Sequence, residues 1–515
     1  MEGSLAGQRI RVRLSALVNF LTNMYRIVAS IIFSLIVIRR LDPNDYGLYS
    51  VALNTANALN TPNNVWSFWS SRRHVLGISI SPKASMILSL LYLVISIPLY
   101  IFIVMPLAGS RHDGLLIVVL IIIFYMLTTP LAPVSGLITL YAPEKYGYLM
   151  LLFETLRVIL TYTLIIGMGS GIVGAIAGPG FAGIVLTIAS IMILLKAGTF
   201  RVTILNIGRN LGESLREAVN VLRLSVLSIP SAITGFIASF DKYLMSLIAS
   251  STLPAAFASV SSTPKLIISP GSFTIGLYAK MLRDPSKQDA ADMIILYSFV
   301  SIFFAATLSL LSIPAITFFN PSYASGNILL IIASIEALIA GYAAIFESIA
   351  MGSERADVAS RSIYDVIRTP LGRIPLIQML RFVLSVSVAA VTQTMIYSAG
   401  VRDPVILVLP YSLSYLVSVI PYTLYVYRLA ISKIKLEIPW VDILMFLLAL
   451  LPSAYVLKLL GVGDIIISSF WRDIVKILPG VGVSAILYIV VSILLSKRLR
   501  YLVRSGMMFL ISSIR

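Results

Sequence analysis

Apolar runs of about twenty residues or more recur along this chain, each long enough to cross the hydrocarbon core of a bilayer as a helix. Fourteen can be placed, at approximately 14–38, 46–70, 84–108, 115–141, 146–168, 171–196, 222–249, 254–277, 292–318, 325–350, 375–398, 404–428, 438–460 and 474–496. In lipid every backbone N–H and C=O must bond within its own segment, so such a chain folds as a helical bundle. The expectation is an all-α, polytopic membrane protein of about fourteen helices. A mean hydropathy of +0.96, with 58% apolar and 12% charged residues among 515, excludes a soluble fold. No loop is long enough for a soluble domain. The longest, 197–221 and 351–374, are amphipathic, with Leu211, Leu215, Val219 and Leu222 on one face of the first, and should lie on the membrane surface.

Charge sets the orientation. Of 39 Lys and Arg, 27 fall on the side that carries both termini, 7 on the other and 5 within spans. Cytoplasmic loops are the basic ones, so both termini are expected in the cytoplasm, with the protein multi-pass in the cell membrane. The same bias accounts for the net charge of +17 without invoking nucleic acid. With no cysteine and two histidines (His74 and His112, both in loops), neither disulfides nor thiolate or imidazole metal sites are available. No cofactor is expected.

The polar residues inside the spans are the informative ones. Asn19, Asn23, Arg26 and Ser30 share one face of the first helix, and Asn54, Asn57, Asn60, Thr61 and Asn64 lie mostly on one face of the second. Lipid cannot hydrogen-bond an amide or guanidinium, so both faces should look into protein or a water-filled cavity. Nine ionisable residues fall within spans: Arg26, Glu154, Arg157, Asp241, Lys242, Lys265, Glu336, Glu347 and Arg381. Glu154 and Arg157, three apart, can neutralise each other. Glu347, Arg157 and Arg381 are near enough to a cytoplasmic end to snorkel. Asp241 and Lys242, as sequence neighbours, are expected to seek different partners. Lys265 sits in the Ser-rich stretch SVSSTPKLIISPGS, where Pro264 and Pro270 should break the helix, as in transporter binding sites. Buried Arg and Lys suit an anion such as phosphate, and Asn amides suit sugar hydroxyls, so a phosphate-linked glycan would use both. Arg26, Arg157, Lys242, Lys265 and Arg381 form the candidate cationic lining, and Asn19, Asn23, Asn54, Asn57 and Asn64 the polar faces. Asp241, Glu154, Glu336 and Glu347 are the candidates for ion or proton coupling.

An internal echo, ETLRVIL at 154–160 and QMLRFVL at 378–384, places Arg157 and Arg381 six spans apart in helices of the same direction. Six plus six helices with two added is the arrangement this suggests. It gives an N-terminal lobe over 1–207, a C-terminal lobe over 208–435, and helices thirteen and fourteen with a basic tail over 436–515.

RRLDPNDYGLYSVALN (39–54) resembles the signature joining the first two helices of polysaccharide transporters, the oligosaccharide-flippase branch of the multidrug/oligosaccharidyl-lipid/polysaccharide (MOP) exporter superfamily. FDKYLMSLIAS (240–250) is similar to that family's Asp-Lys/Arg helix, and residues 320–356 to its tenth helix. After span seven the chain reads STLPAAFASV where the family has a Gly-x-Tyr turn. The resemblance implies flipping of lipid-linked oligosaccharide from the cytoplasmic to the outer leaflet by alternating access between two six-helix lobes. Its partners would be a polyprenyl- or dolichyl-phosphate-linked glycan and membrane lipids, with the protein a monomer. Asp241 and Lys242 match the span-seven motif, and Arg26 stands where relatives keep cavity-lining charge.

Two other functions fit the residues less well. A proton- or sodium-coupled multidrug antiporter of the same superfamily needs a buried acid in the N-terminal lobe, and the first helix offers Arg26 instead. A membrane glycosyltransferase needs an acidic motif on a large outer loop, and Asp42, Asp45, Asp113, Asp403, Asp464 and Asp473 stand singly. The chain is therefore read as a transporter and not an enzyme.

Overall fold

The computed structural model describes residues 12–75, 82–109, 112–126, 143–196, 229–263, 265–268, 284–354 and 367–514. Positions 138, 218–219, 221–222, 225–226, 274, 277–278 and 280–282 are described as well. The protein is all-α: about 90% of the described residues are helical, and no strand occurs among them. Among the described residues ten helices are long and apolar enough to cross a membrane, and they coincide with ten of the fourteen expected spans. Spans 14–38 and 46–70 are single helices of 29 and 33 residues. Spans 115–141 and 254–277 lie partly outside the described residues, as do most of the two amphipathic loops.

The chain divides into two compact units, Met1–Ala256 and Phe257–Arg515. In the first, α1 (Val12–Arg40), α2 (Pro43–Val75), α3 (Pro82–Ala108) and α4 (Gly114–Ile121) are followed by α5 (Pro143–Tyr162), α6 (Gly171–Lys196) and α7 (Ile229–Ala249). Helix α5 lies between α1 and α6, and α7 runs along α2. By packing, α7 therefore groups with the first half of the chain. The α1–α5 seam is held by hydroxyls: Thr22 Oγ1 donates to the Gly147 carbonyl (3.3 Å), and Tyr25 and Thr155 share a hydrogen bond (2.8 Å).

The second unit opens with α8 (Leu253–Ser262), most of which it contains, and the single turn α9 (Lys265–Ile268). The expected break in this helix is present between them. Hydroxyls of Ser261, Ser262 and Thr263 turn back onto carbonyls three or four residues earlier, which satisfies the backbone where the helix stops. Then come α10 (Lys287–Leu310), α11 (Ser312–Phe319), α12 (Asn327–Gly352), α13 (Pro370–Ser398), α14 (Pro404–Ile434), α15 (Trp440–Leu459), α16 (Phe470–Leu495) and α17 (Lys497–Ile514). Helix α14 is packed by both α12 and α13. Gly341 on α12 leaves the room in which Tyr297 of α10 reaches the Leu338 carbonyl (3.0 Å). The final pair is pinned to α10 by Tyr488, which donates to the Phe299 carbonyl (2.8 Å) and stacks on Phe299 and Phe303.

Large aliphatic side chains such as Leu384, Val388, Leu451, Ile486 and Leu494 are exposed on α13, α15 and α16, as lipid-facing positions of a membrane bundle should be. Trp440 and Trp471, in the first turns of α15 and α16, are exposed too, and indoles at the ends of spanning helices favour the membrane interface.

Candidate functional site

In the first unit, charge converges on one carboxylate. Glu154, on α5, is 3% exposed and lies between two arginines. Arg26, midway along α1, approaches Oε1 with Nε at 3.4 Å, and Arg157, one turn along α5, brings Nη2 to 2.6 Å from Oε2. The second approach is off the hydrogen-bond axis, and Nε of Arg157 has no partner, so charge more than hydrogen bonding holds the group. Arg157 also donates to Ser30 Oγ (3.0 Å) and lies over the Phe33 ring at 4.7 Å. Arg26 and Ser30, four residues apart, thus both meet α5, as their shared face required. Two guanidiniums on one carboxylate leave a net positive charge. The Arg26 side chain is 47% exposed, against 17% for Arg157. A half-exposed guanidinium at mid-helix depth cannot rest in lipid and must face a polar space.

In the second unit four elements meet. Lys265 of α9 forms an ion pair with Glu336 of α12, and Arg381 of α13 brings Nη2 to 4.0 Å of the same carboxyl. Arg381 also donates from Nε to Ser418 Oγ of α14 (3.2 Å) and lies over Phe382 and Tyr422 at 4.8 and 5.3 Å. Tyr422 donates to Glu347 Oε1 at 2.8 Å. Here two cations answer two acids. Arg381 is 9%, Glu336 12% and Lys265 30% exposed. Arg157 and Arg381 are held by partners inside the bundle, which corrects the snorkelling reading for both.

The pairing expected for Asp241 and Lys242 is corrected as well. Lys242 folds back so that Nζ lies 2.9 and 3.0 Å from the two carboxylate oxygens of its own neighbour, Asp241, which is 1% exposed. Adjacent side chains leave a helix about 100° apart, but lysine's four-carbon stem is long enough to close that gap. Of the Asn faces, Asn54 is spent on its own helix, donating to the Ser50 carbonyl (2.7 Å), while Asn57 is exposed. The side chains of Asn19, Asn23 and Asn64 lie outside the described residues. Sequence reasoning passed over Asn63, whose fully buried amide has neither its nitrogen nor its oxygen bonded. It also passed over Tyr422 and Ser418, which no charge signal marked. Among the described residues no three His, Asp or Glu converge on a metal site.

Fold and buried charge together define a multi-pass helical membrane protein. No family model matches the chain, and no curated protein matches it. Among solved structures, it is similar to the lipid II flippase MurJ in an inward closed conformation, with a TM-score of 0.55 and 13% identity over 93% of this chain and 98% of that one. It is also similar to an inward-facing multidrug resistance MATE family transporter of the MOP superfamily, with a TM-score of 0.55 and 14% identity over 82% of this chain and 99% of that one. At such identities the shared property is the fold alone.

Proposed function

We propose that the protein is a flippase of the oligosaccharide branch, moving polyprenyl-(pyro)phosphate-linked oligosaccharide from the cytoplasmic to the outer leaflet by alternating access. The glycan would serve protein glycosylation or surface polysaccharide. The lobes 1–207 and 208–435 would be the moving bodies, α7 packing on α2 in this conformation and moving with the second, and 436–515 an accessory pair. The observation that carries this reading is the two-to-one excess of arginine over carboxylate at Arg26, Glu154 and Arg157, with Arg26 half exposed. Such a site attracts an anion, and forked guanidiniums match phosphate oxygens. The acids of unit one that a cationic drug would need, Glu154 and Asp241, are each held by a cation. That weighs against the multidrug antiporter.

The test is native mass spectrometry of the purified protein with phosphoprenyl-glycan extract. Retention of a phosphoprenyl glycan by the wild type and its loss in Arg26→Ala supports the reading. Retention of lipophilic cations in its place would transfer the protein to the antiporter class.

A further inference from the structure

A cavity of about 520 Å³ opens at one end of the first unit, inside the roughly 300–1,000 Å³ range of small-molecule sites. It lies where the α1–α2 turn, the last turn of α3 and the C-terminus of α7 meet, the end that the charge count assigns to the outside. Asn44, Ser246, Ser250, Ser251 and Thr252 supply its polar wall, and Leu48 and Pro106 belong to its apolar wall. Among the described residues no ionisable side chain lines it.

The wall is preformed. Helix α7 ends in a cap in which the Ser251 N–H bonds to the Ser246 carbonyl (3.2 Å), with Ser250 left-handed at φ 50. A residue with a side chain holds that conformation only where its surroundings impose it. Thr252 Oγ1 then donates to the Asn44 carbonyl (3.0 Å), while the Asn44 N–H is held by Asp42 (3.0 Å). Gly47 is part of the same fit, since a Cβ there would overlap the Thr252 backbone. The segment Asp42–Leu48, which opens α2 and is prominent in the sequence, is thus the seat of the 250–252 corner. One group is left over: the Ser246 hydroxyl, 0% exposed and lining the cavity, has no hydrogen-bond partner. Buried hydroxyls are rarely left so.

We infer that this pocket is a binding site for a neutral sugar ring on the outer side. Hydroxyls and an amide without charge suit a neutral, hydroxyl-bearing ligand better than a phosphate headgroup, a metal ion or a cationic drug, for none of which the wall offers an opposite charge. A purely apolar ligand would leave the Ser246 hydroxyl unpaired. A pyranose presents hydroxyls to one wall and a C–H face to the other. The role of the site in releasing a transported glycan rests on the flippase reading, whereas its sugar chemistry does not.

The chain's lack of cysteine makes the test direct. Ser251→Cys places a single thiol in the wall of the full-length protein, reconstituted in nanodiscs from sugar-free detergent. Its alkylation by a small maleimide is timed with methyl glucoside, methyl mannoside or methyl N-acetylglucosaminide, and with tetramethylammonium chloride as control. At ten times its Kd, a glycoside that occupies the pocket slows alkylation about tenfold. Protection by at least one glycoside, abolished by Ser246→Ala, is the expected result. No protection by any of the three overturns the inference, and Asn44→Cys repeats the test from the opposite wall should Ser251→Cys fail to fold. Phosphoprenyl-glycan retention is scored on the same samples. Retention without protection removes the sugar pocket alone, and protection without retention removes the flippase reading alone.

Discussion

The two charge clusters use the same residue types to different ends. Around Glu154, two arginines share one acid and Arg26 is left half exposed. Around Glu336, Lys265 and Arg381 are met by that carboxylate, and Glu347 stands nearby on Tyr422, all within a seam of four helices. Each cluster sets two cations on one carboxylate, but the first leaves Arg26 47% exposed, whereas the second buries its arginine and has a further acid, Glu347, nearby on Tyr422. The number of buried cations is equal, so the count alone does not identify the anion site. The acids that each cation meets decide it.

Removing the central acid tests this contrast most severely. Glu154→Gln strands two guanidiniums that cannot lose their protons, and breaking such a pair costs on the order of 3–5 kcal/mol. Glu336→Gln strands one guanidinium and one ammonium, and Lys265 can shed its proton. The thermal midpoint should therefore fall further for Glu154→Gln than for Glu336→Gln. Equal losses would mean that the clusters do not differ in the way described.

Ligand affinity comes next in size. Arg26→Ala should weaken retention of a phosphoprenyl glycan by about tenfold or more, the scale of a lost charged hydrogen bond at ~1.5–3 kcal/mol. Lys265→Ala, already committed to Glu336, should change it much less, and titration against the purified lipid measures both. A larger effect at Lys265 would move the anion site to the second unit.

Smaller still is Tyr422→Phe, which removes the hydrogen bond to Glu347 and should cost about 1–2 kcal/mol in an unfolding measurement. An unchanged midpoint would show that Glu347 is not held by this bond.

The smallest effect belongs to Lys280, on the surface, whose ammonium is raised above its ordinary range by its hydrogen bond to Asp284 and the charges of Asp284 and Asp289. A raised lysine contributes its stability below the unfolded value and loses it as pH climbs through the folded one. Lys280→Met should therefore leave the pH profile of the melting point unchanged between neutral and mildly alkaline pH. A divergence from wild type in that range would contradict the assignment.

Much of the bundle was legible because a bilayer permits few alternatives. Ten spans read from apolar runs are helices at nearly the same bounds, and the break near Lys265 follows from its prolines and serines. The face shared by Arg26 and Ser30 follows from helical period alone. The site was legible as a set of residues and not as an arrangement. Arg157 and Glu154 pair as their spacing allows, but Arg26 joins them across 128 positions, and Tyr422 reaches Glu347 across 75. Lys242 turning back on Asp241 ran against the rule for neighbours, because a long flexible side chain is not confined to the direction of its Cβ.

By itself the sequence determined that this is a helical membrane protein with charges at membrane depth, since hydrophobic length and helical period are local properties. Which acid answers which cation, and where a hydroxyl-lined pocket forms, was decided only when distant helices packed. Electrostatic pairing and cavity shape depend on separations of a few ångströms between side chains far apart in the chain, and no local pattern encodes those.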